Sequence, residues 1–138
     1  MKKLRLKNKA FTVLESLLVL MISAFLLFSF SLSFENTLHV IKGELFVARF
    51  EQAYKDTQLQ ASALVEVRTF SVSNGILKAG DEKIEIPEEV LVSDFAIKFN
   101  KQGNNSSLKK ITIYLPNQSK KITYQLEMGS GKYKKKIQ

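Results

Sequence analysis

The apolar positions of this chain fall into three successive patterns. From Phe11 to Phe34 they form a nearly unbroken run, with one charged residue, Glu15, in 24 positions. As a helix that run would extend roughly 36 Å, enough to cross the hydrocarbon core of a bilayer. From 35 to about 63 charges return, but apolar residues recur at three- and four-residue spacings: Leu38, Ile41, Leu45 and Phe46, then Phe50, Ala53 and Tyr54. Glu44, Arg49, Glu51, Lys55 and Asp56 largely occupy the opposite side. This stretch predicts an amphipathic helix continuous with the first, from about Phe11 to about Ser62, with Gly43 as a candidate kink. From Leu64 onward the pattern changes to short alternating runs bounded by turn residues.

Those runs predict an antiparallel sheet. "VEVRTFSVS" alternates Val65, Val67 and Thr69 against Glu66, Arg68 and Phe70. A short strand at 76–78, "KIEI" ending at Pro87, and "DFAIKFN" follow, separated by Gly-, Asn- and Asp-containing turns. In "KKITIYLPNQSKKITYQLE" the repeated "KKIT" reads as the two arms of a hairpin. With Pro116–Ser119 as the turn, Leu115 faces Lys120, Ile113 faces Ile122 and Ile111 faces Tyr124, which gathers the isoleucines on one face. The predicted fold class is α+β: a long N-terminal α-helix, with a membrane half and an amphipathic half, packed on a small antiparallel β-sheet. Neither layer could bury its apolar face alone.

Charge modifies this picture at the N-terminus. The formal net charge is +8, but Lys2, Lys3, Arg5, Lys7 and Lys9 supply five of those charges before Ala10. Without the first ten residues the balance is 16 basic to 13 acidic side chains, so the basicity belongs largely to a leader. A basic head before an apolar run stays on the cytoplasmic side, which places the C-terminal domain outside. No Ala-x-Ala site follows the run, which is also longer than an ordinary secretory h-region. The chain has no cysteine, so disulfides and Cys-based metal sites are excluded.

Glu15 needs an explanation, because a carboxylate within a membrane segment costs about 2–4 kcal/mol unless it lies near an edge or finds a partner. The residues around it, Lys9-Ala10-Phe11-Thr12-Val13-Leu14-Glu15, resemble the prepilin processing motif of type IV pilins and type II secretion pseudopilins. In that family a basic leader ends in Gly or Ala, a membrane peptidase cuts before Phe, and a glutamate stands fifth in the mature chain. The resemblance implies cleavage between Ala10 and Phe11 and N-methylation of Phe11. It also implies an assembly role for Glu15, which attracts the N-terminal amine of a neighbouring subunit, since opposite charges in a low-dielectric setting gain by meeting. Ala10 replaces the more usual Gly. The chain then divides into a leader (1–10), a transmembrane and fibre-core helix (11–34), an amphipathic helix of the pilin domain (35–63), and a sheet with a basic C-terminal tail (64–138). Ser16, Ser23, Ser29, Ser31 and Ser33 are small polar residues suited to facing other helices or to satisfying their own backbone.

The remaining chemistry is sparse. His39 is the single histidine and reads as a surface helix residue. Asp81, Glu82, Glu85, Glu88 and Glu89 cluster without EF-hand spacing and read as solubilising edge-strand charges. No phosphate loop or nucleophile motif is present, so no catalysis, cofactor or metal is expected. Lys109, Lys110, Lys120 and Lys121 on the hairpin, with Lys132, Lys134, Lys135 and Lys136 in the tail, interleave with Tyr114, Tyr124 and Tyr133. The favoured reading of these lysines is a solvated strand face and a frayed tail; the alternative is sequence-independent contact with DNA phosphates.

The short, cysteine-free, Lys-rich domain behind "KAFTVLES" most resembles the minor competence pseudopilins of Gram-positive bacteria. That resemblance implies a subunit of the transformation pilus, assembled through its N-terminal helix to support DNA uptake. Its partners would be prepilin peptidase, other major and minor pseudopilins, the cytoplasmic membrane and, nonspecifically, DNA. It would be a single-pass membrane protein before assembly and lie at the cell surface afterwards. The alternatives are a minor subunit of a type II secretion or type IV pilus system, a DNA-binding module at the fibre tip, and a plain single-pass protein with no assembly role.

Overall fold

The computed structural model describes residues 2–138, with side chains described for 12–31 and 34–138. The chain forms two compact units, Met1–Leu38 and His39–Gln138. One helix, α1 (Lys2–Ala63), supplies the first unit and the helical layer of the second. It begins before the predicted start and ends one residue past the predicted end.

In the first unit the large apolar side chains described, from Val13 to Phe34, are all exposed. The backbone is satisfied within the helix, as any segment that enters lipid requires. Ser16, Ser29 and Ser31 donate to the carbonyls of Val13, Phe25 and Leu27 at 2.9, 2.9 and 3.1 Å, and Ser23 donates to that of Val19. These hydroxyls therefore satisfy their own backbone. Ser33 lies outside the residues whose side chains are described.

In the second unit α1 buries Phe46, Val47, Phe50, Ala53, Tyr54, Thr57 and Ala61. The expected single stripe splits here. Ile41 and Leu45 are 53% and 66% exposed. At about 100° per residue they project from the side of the helix opposite Phe50, so the three- and four-residue spacing had joined two separate stripes. Gly43 falls within the buried arc, and α1 runs through it without interruption. A Cβ there would stand 3.2 Å from Leu115 Cδ2, so this glycine marks a close approach of helix to sheet instead of the predicted kink.

Eight strands follow, arranged as two four-stranded antiparallel sheets where one was expected. β1 (Arg68–Ser73), β2 (Ile76–Ala79), β3 (Glu82–Glu85) and β5 (Phe95–Phe99) form the first, in the order β3-β2-β1-β5. β4 (Leu91–Val92), β6 (Lys110–Leu115), β7 (Lys120–Leu126) and β8 (Tyr133–Ile137) form the second, in the order β4-β6-β7-β8. The β6–β7 hairpin has the predicted register, with Leu115 opposite Lys120, Ile113 opposite Ile122 and Ile111 opposite Tyr124. Its connection is a short 3-10 turn, Pro116–Gln118, closed by Ser119 in the left-handed region.

Two strand expectations change. β1 starts at Arg68 because α1 ends in a C-terminal cap around Val65, at φ 54°: Glu66 N donates to Ala61 O at 3.1 Å and Leu64 N to Gln60 O at 2.9 Å. Val65 and Val67 are consequently exposed, while Phe70 and Val72 point into the core. The basic tail is not frayed. It is β8, paired along β7 from Leu126↔Tyr133 to Ile122↔Ile137.

Both sheets turn their apolar faces to the same helical stripe. The Phe50 ring meets Phe70 of the first sheet at 5.2 Å and Tyr124 of the second at 5.3 Å. Tyr54 meets Phe99 and Tyr133 in edge contacts, both at 5.1 Å. Its hydroxyl donates to Gly131 O at 3.0 Å, and burial pushes its pKa up to about 12. Gly131 has no room for a side chain, since a Cβ there would collide with Gly103 O and the Gln58 amide. One helix thus locks both sheets, and that fixes which side of β6, β7 and β8 faces outward.

Candidate functional site

Two groups of residues carried functional expectations, the processing segment and the lysines. Ala10 and Phe11 lie outside the residues whose side chains are described. Glu15 is exposed on α1, on a stretch otherwise covered by exposed apolar side chains such as Val13, Leu14, Leu17 and Leu18. The helix is long and apolar enough to cross a membrane. In lipid, a carboxylate on such a surface gains strongly from a cationic partner.

The lysines separate according to strand alternation. The inward side of the second sheet is the side of Ile111, Ile113, Ile122, Tyr124 and Leu126, all buried. Lys120 and Lys135 lie on that side, at its margins, and reach acids on α1. Lys120 Nζ donates to Glu44 at 2.6 Å, and Lys135 Nζ donates to Glu51 at 2.6 Å. Glu51 also accepts from the Tyr124 hydroxyl at 2.7 Å. Burial alone would raise the Glu51 pKa, but the hydrogen bonds from Lys135 and Tyr124 hold it below the usual carboxylate range. Burial pushes the Tyr124 phenol up, and the adjoining Glu51 charge adds to the shift. These two lysines are therefore structural clasps between helix and sheet.

The outward side carries the others. Lys110, Lys121, Lys134 and Lys136 project from β6, β7 and β8 into solvent, with Thr112, Thr123 and Gln125 between them. Lys134 pairs with Glu127 at 3.4 Å. Among the described residues no carboxylate lies within ion-pair distance of Lys110, Lys121 or Lys136. Lys109 is tied elsewhere, donating to Ala96 O at 2.9 Å, and Lys132 stands exposed in the turn before β8. The interleaved tyrosines do not stay together. Tyr124 is buried and Tyr133 half-buried on the inward side, while Tyr114 is exposed on the outward side.

The acidic cluster is largely engaged by protein cations. Asp81 and Glu66 flank Arg68 at 2.5 and 3.1 Å, and Glu82 meets Arg49 at 3.3 Å. Glu89 accepts from Lys42 at 3.3 Å and lies 2.7 Å from His39 Nδ1. That His39 contact, the main cause, holds the Glu89 carboxyl below its usual range. His39 thus fastens the β3–β4 loop to α1, a role not evident from sequence position. The partners Glu44 and Glu51 were also missed. Their seven-residue spacing placed them on one helix flank, but nothing in the sequence announced that Lys120 and Lys135 would face that flank.

No family model and no solved structure matches the chain. Among characterised proteins, the competence protein ComGD of Streptococcus pneumoniae is 33% identical over 128 residues, 92% of this chain and 79% of its own length. On the ground of similarity of that extent the chain belongs to the ComGD family of competence pseudopilins.

Proposed function

We propose that this chain is a minor pseudopilin of the transformation pilus. It is inserted as a single-pass precursor with its domain outside, cut by prepilin peptidase between Ala10 and Phe11, and methylated at Phe11. The mature subunit then assembles beside other major and minor pseudopilins through α1, with Glu15 receiving a neighbouring N-terminal amine. The observation that carries this reading is the near-full-length likeness to a competence protein. The charged Glu15 on an exposed apolar helix supports it, because such a surface needs both a lipid or helical environment and a countercharge. The chain contributes an interface to the fibre and catalyses no step.

The test is a deletion strain complemented with the wild-type chain or with Glu15→Gln. The wild type restores transformation and Glu15→Gln does not, while protein export is normal throughout. Loss of export with transformation intact would instead assign the chain to a secretion system.

A further inference from the structure

We propose that the outward face of β6, β7 and β8 binds double-stranded DNA through its phosphate backbone, at Lys110, Lys121, Lys134 and Lys136. The inference rests on the competence reading for its biological setting, but the face itself is argued from charge and geometry. Pair register places Lys110 opposite Gln125, and Gln125 opposite Lys134, so these two lysines share a row two strand spacings apart, ~10 Å. Lys136 stands ~7 Å along β8 from Lys134 on the same face. Lys121, one row beyond the Thr123–Lys136 pair, completes a basic quadrilateral. Its single acidic neighbour is Glu127, just past the end of β7.

The outward face of the first sheet differs. It mixes Lys78, Lys83 and Lys98 with Glu85, and Glu82 and Asp81 lie at its edge. Acids are thus interspersed among the cations of the first sheet, whereas the four outward lysines of the second have Glu127 beside one of them.

What lies between the lysines identifies the polyanion. Thr112, half-buried, and Gln125, whose amide donates to Leu108 O at 2.9 Å, are the polar side chains at the surface between them, while Thr123 is buried, so the lysines carry the phosphate contacts. An anionic membrane would be met better by large apolar side chains inserted among the cations; exposed Tyr114 and Leu91 stand beside Lys121 at one edge, and none lies between Lys110, Lys134 and Lys136. The tyrosines separate duplex from single strand. A single-stranded site stacks successive bases on several exposed aromatic rings. Here Tyr124 and Tyr133 are committed to the inward side, leaving only Tyr114 outward. The face offers charges for a duplex backbone and no platform for unstacked bases.

The affinity should be sequence-independent and steeply salt-dependent. Four phosphates neutralised correspond to a slope of log K against log[salt] of about −3 to −4. The experiment is fluorescence anisotropy of a labelled duplex with the whole chain in uncharged nanodiscs, across about 50–200 mM salt. It compares wild type with Lys→Gln at the four outward positions, Lys→Arg at the same positions, and Lys→Gln at Lys120 and Lys135. Any contribution from the five basic leader residues is common to all four proteins, so differences report the face whether or not the leader has been cut.

The outward Lys→Gln variant should lose about three to four units of slope, Lys→Arg should keep them, and the Lys120/Lys135 variant should keep them too. An unchanged slope in the outward Lys→Gln variant overturns the assignment. So does tighter binding of single-stranded DNA that is lost with Tyr114→Ala, or binding of acidic vesicles without binding of duplex. The two readings fail separately. A deletion strain that transforms normally removes the competence role and leaves the measured slope standing. An unchanged slope beside a transformation defect removes the face and leaves the role.

Discussion

Residues 13–34 and residues 46–61 of α1 are both rich in apolar side chains, yet their surroundings differ completely. In the first stretch the large apolar side chains described are exposed on every side of the helix. In the second, one arc from Phe46 to Ala61 is buried under two sheets, and mostly polar side chains, with Leu59 an apolar exception, cover the rest. The difference shows that hydrophobicity alone does not say what a helix is for. An all-round apolar surface calls for lipid or other helices, whereas a single stripe is completed within its own domain. Glu15 belongs to the first kind of surface and Glu51 to the second. Glu51 already has Lys135 and Tyr124, while Glu15 has its countercharge still to come from another subunit under the proposed mechanism.

Substitutions can break this contrast. The largest effect is expected from Phe50→Ala, which empties a site shared by both sheets and should cost about 3–5 kcal/mol. Phe25→Ala, in the exposed stretch, should leave the unfolding of the domain unchanged. Chemical denaturation of the two variants in the same detergent compares them directly. Gly43→Leu comes next: its side chain would drive into Leu115, and overpacking of this kind costs about 1–3 kcal/mol. Gly43→Ala should stay within about 1 kcal/mol of wild type, because gained helix propensity offsets the crowding.

Tyr124→Phe removes one hydrogen bond to Glu51 and should cost about 1 kcal/mol near neutral pH. The pH dependence sharpens it. The folded-state pKa of Glu51 is lowered, so its stabilisation is present above the ordinary value of 4.5 and is lost as pH falls through the lowered one. Tyr124→Phe should therefore flatten the acid limb of a stability–pH profile, and an unaltered limb would remove Glu51 from the account. An effect of similar size has the opposite sign. Val65→Gly relieves a β-branched residue of its left-handed conformation and should stabilise the domain by about 1 kcal/mol, visible as a raised denaturation midpoint.

Much of this architecture was legible in the sequence because local signals agreed with the global fold. The hairpin register followed from alternating isoleucines around a Pro–Asn turn, and it holds pair for pair. The failures share a cause. Ile41 and Leu45 satisfied helical spacing without being on the buried arc, because spacing does not reveal which of two stripes the sheet will cover. β4 has two residues, too few for a pattern, and β8 was hidden because three consecutive lysines stand between Tyr133 and Ile137, with Lys135 on the inward side breaking the apolar alternation. Lys120 and Lys135 looked equivalent to Lys121 and Lys136 until register put them on opposite faces. Odd and even positions on a strand carry different fates, and a run of lysines conceals that.

The central claim, that Glu15 serves assembly after a cut that creates its partner amine, is tested most directly at the N-terminus. The measurement is the intact mass of the protein from cells with and without prepilin peptidase. A chain beginning at methylated Phe11 is expected only when the peptidase is present. A chain retaining residues 1–10 in both strains would contradict it, and Glu15 would then be a charge on an uncleaved membrane anchor.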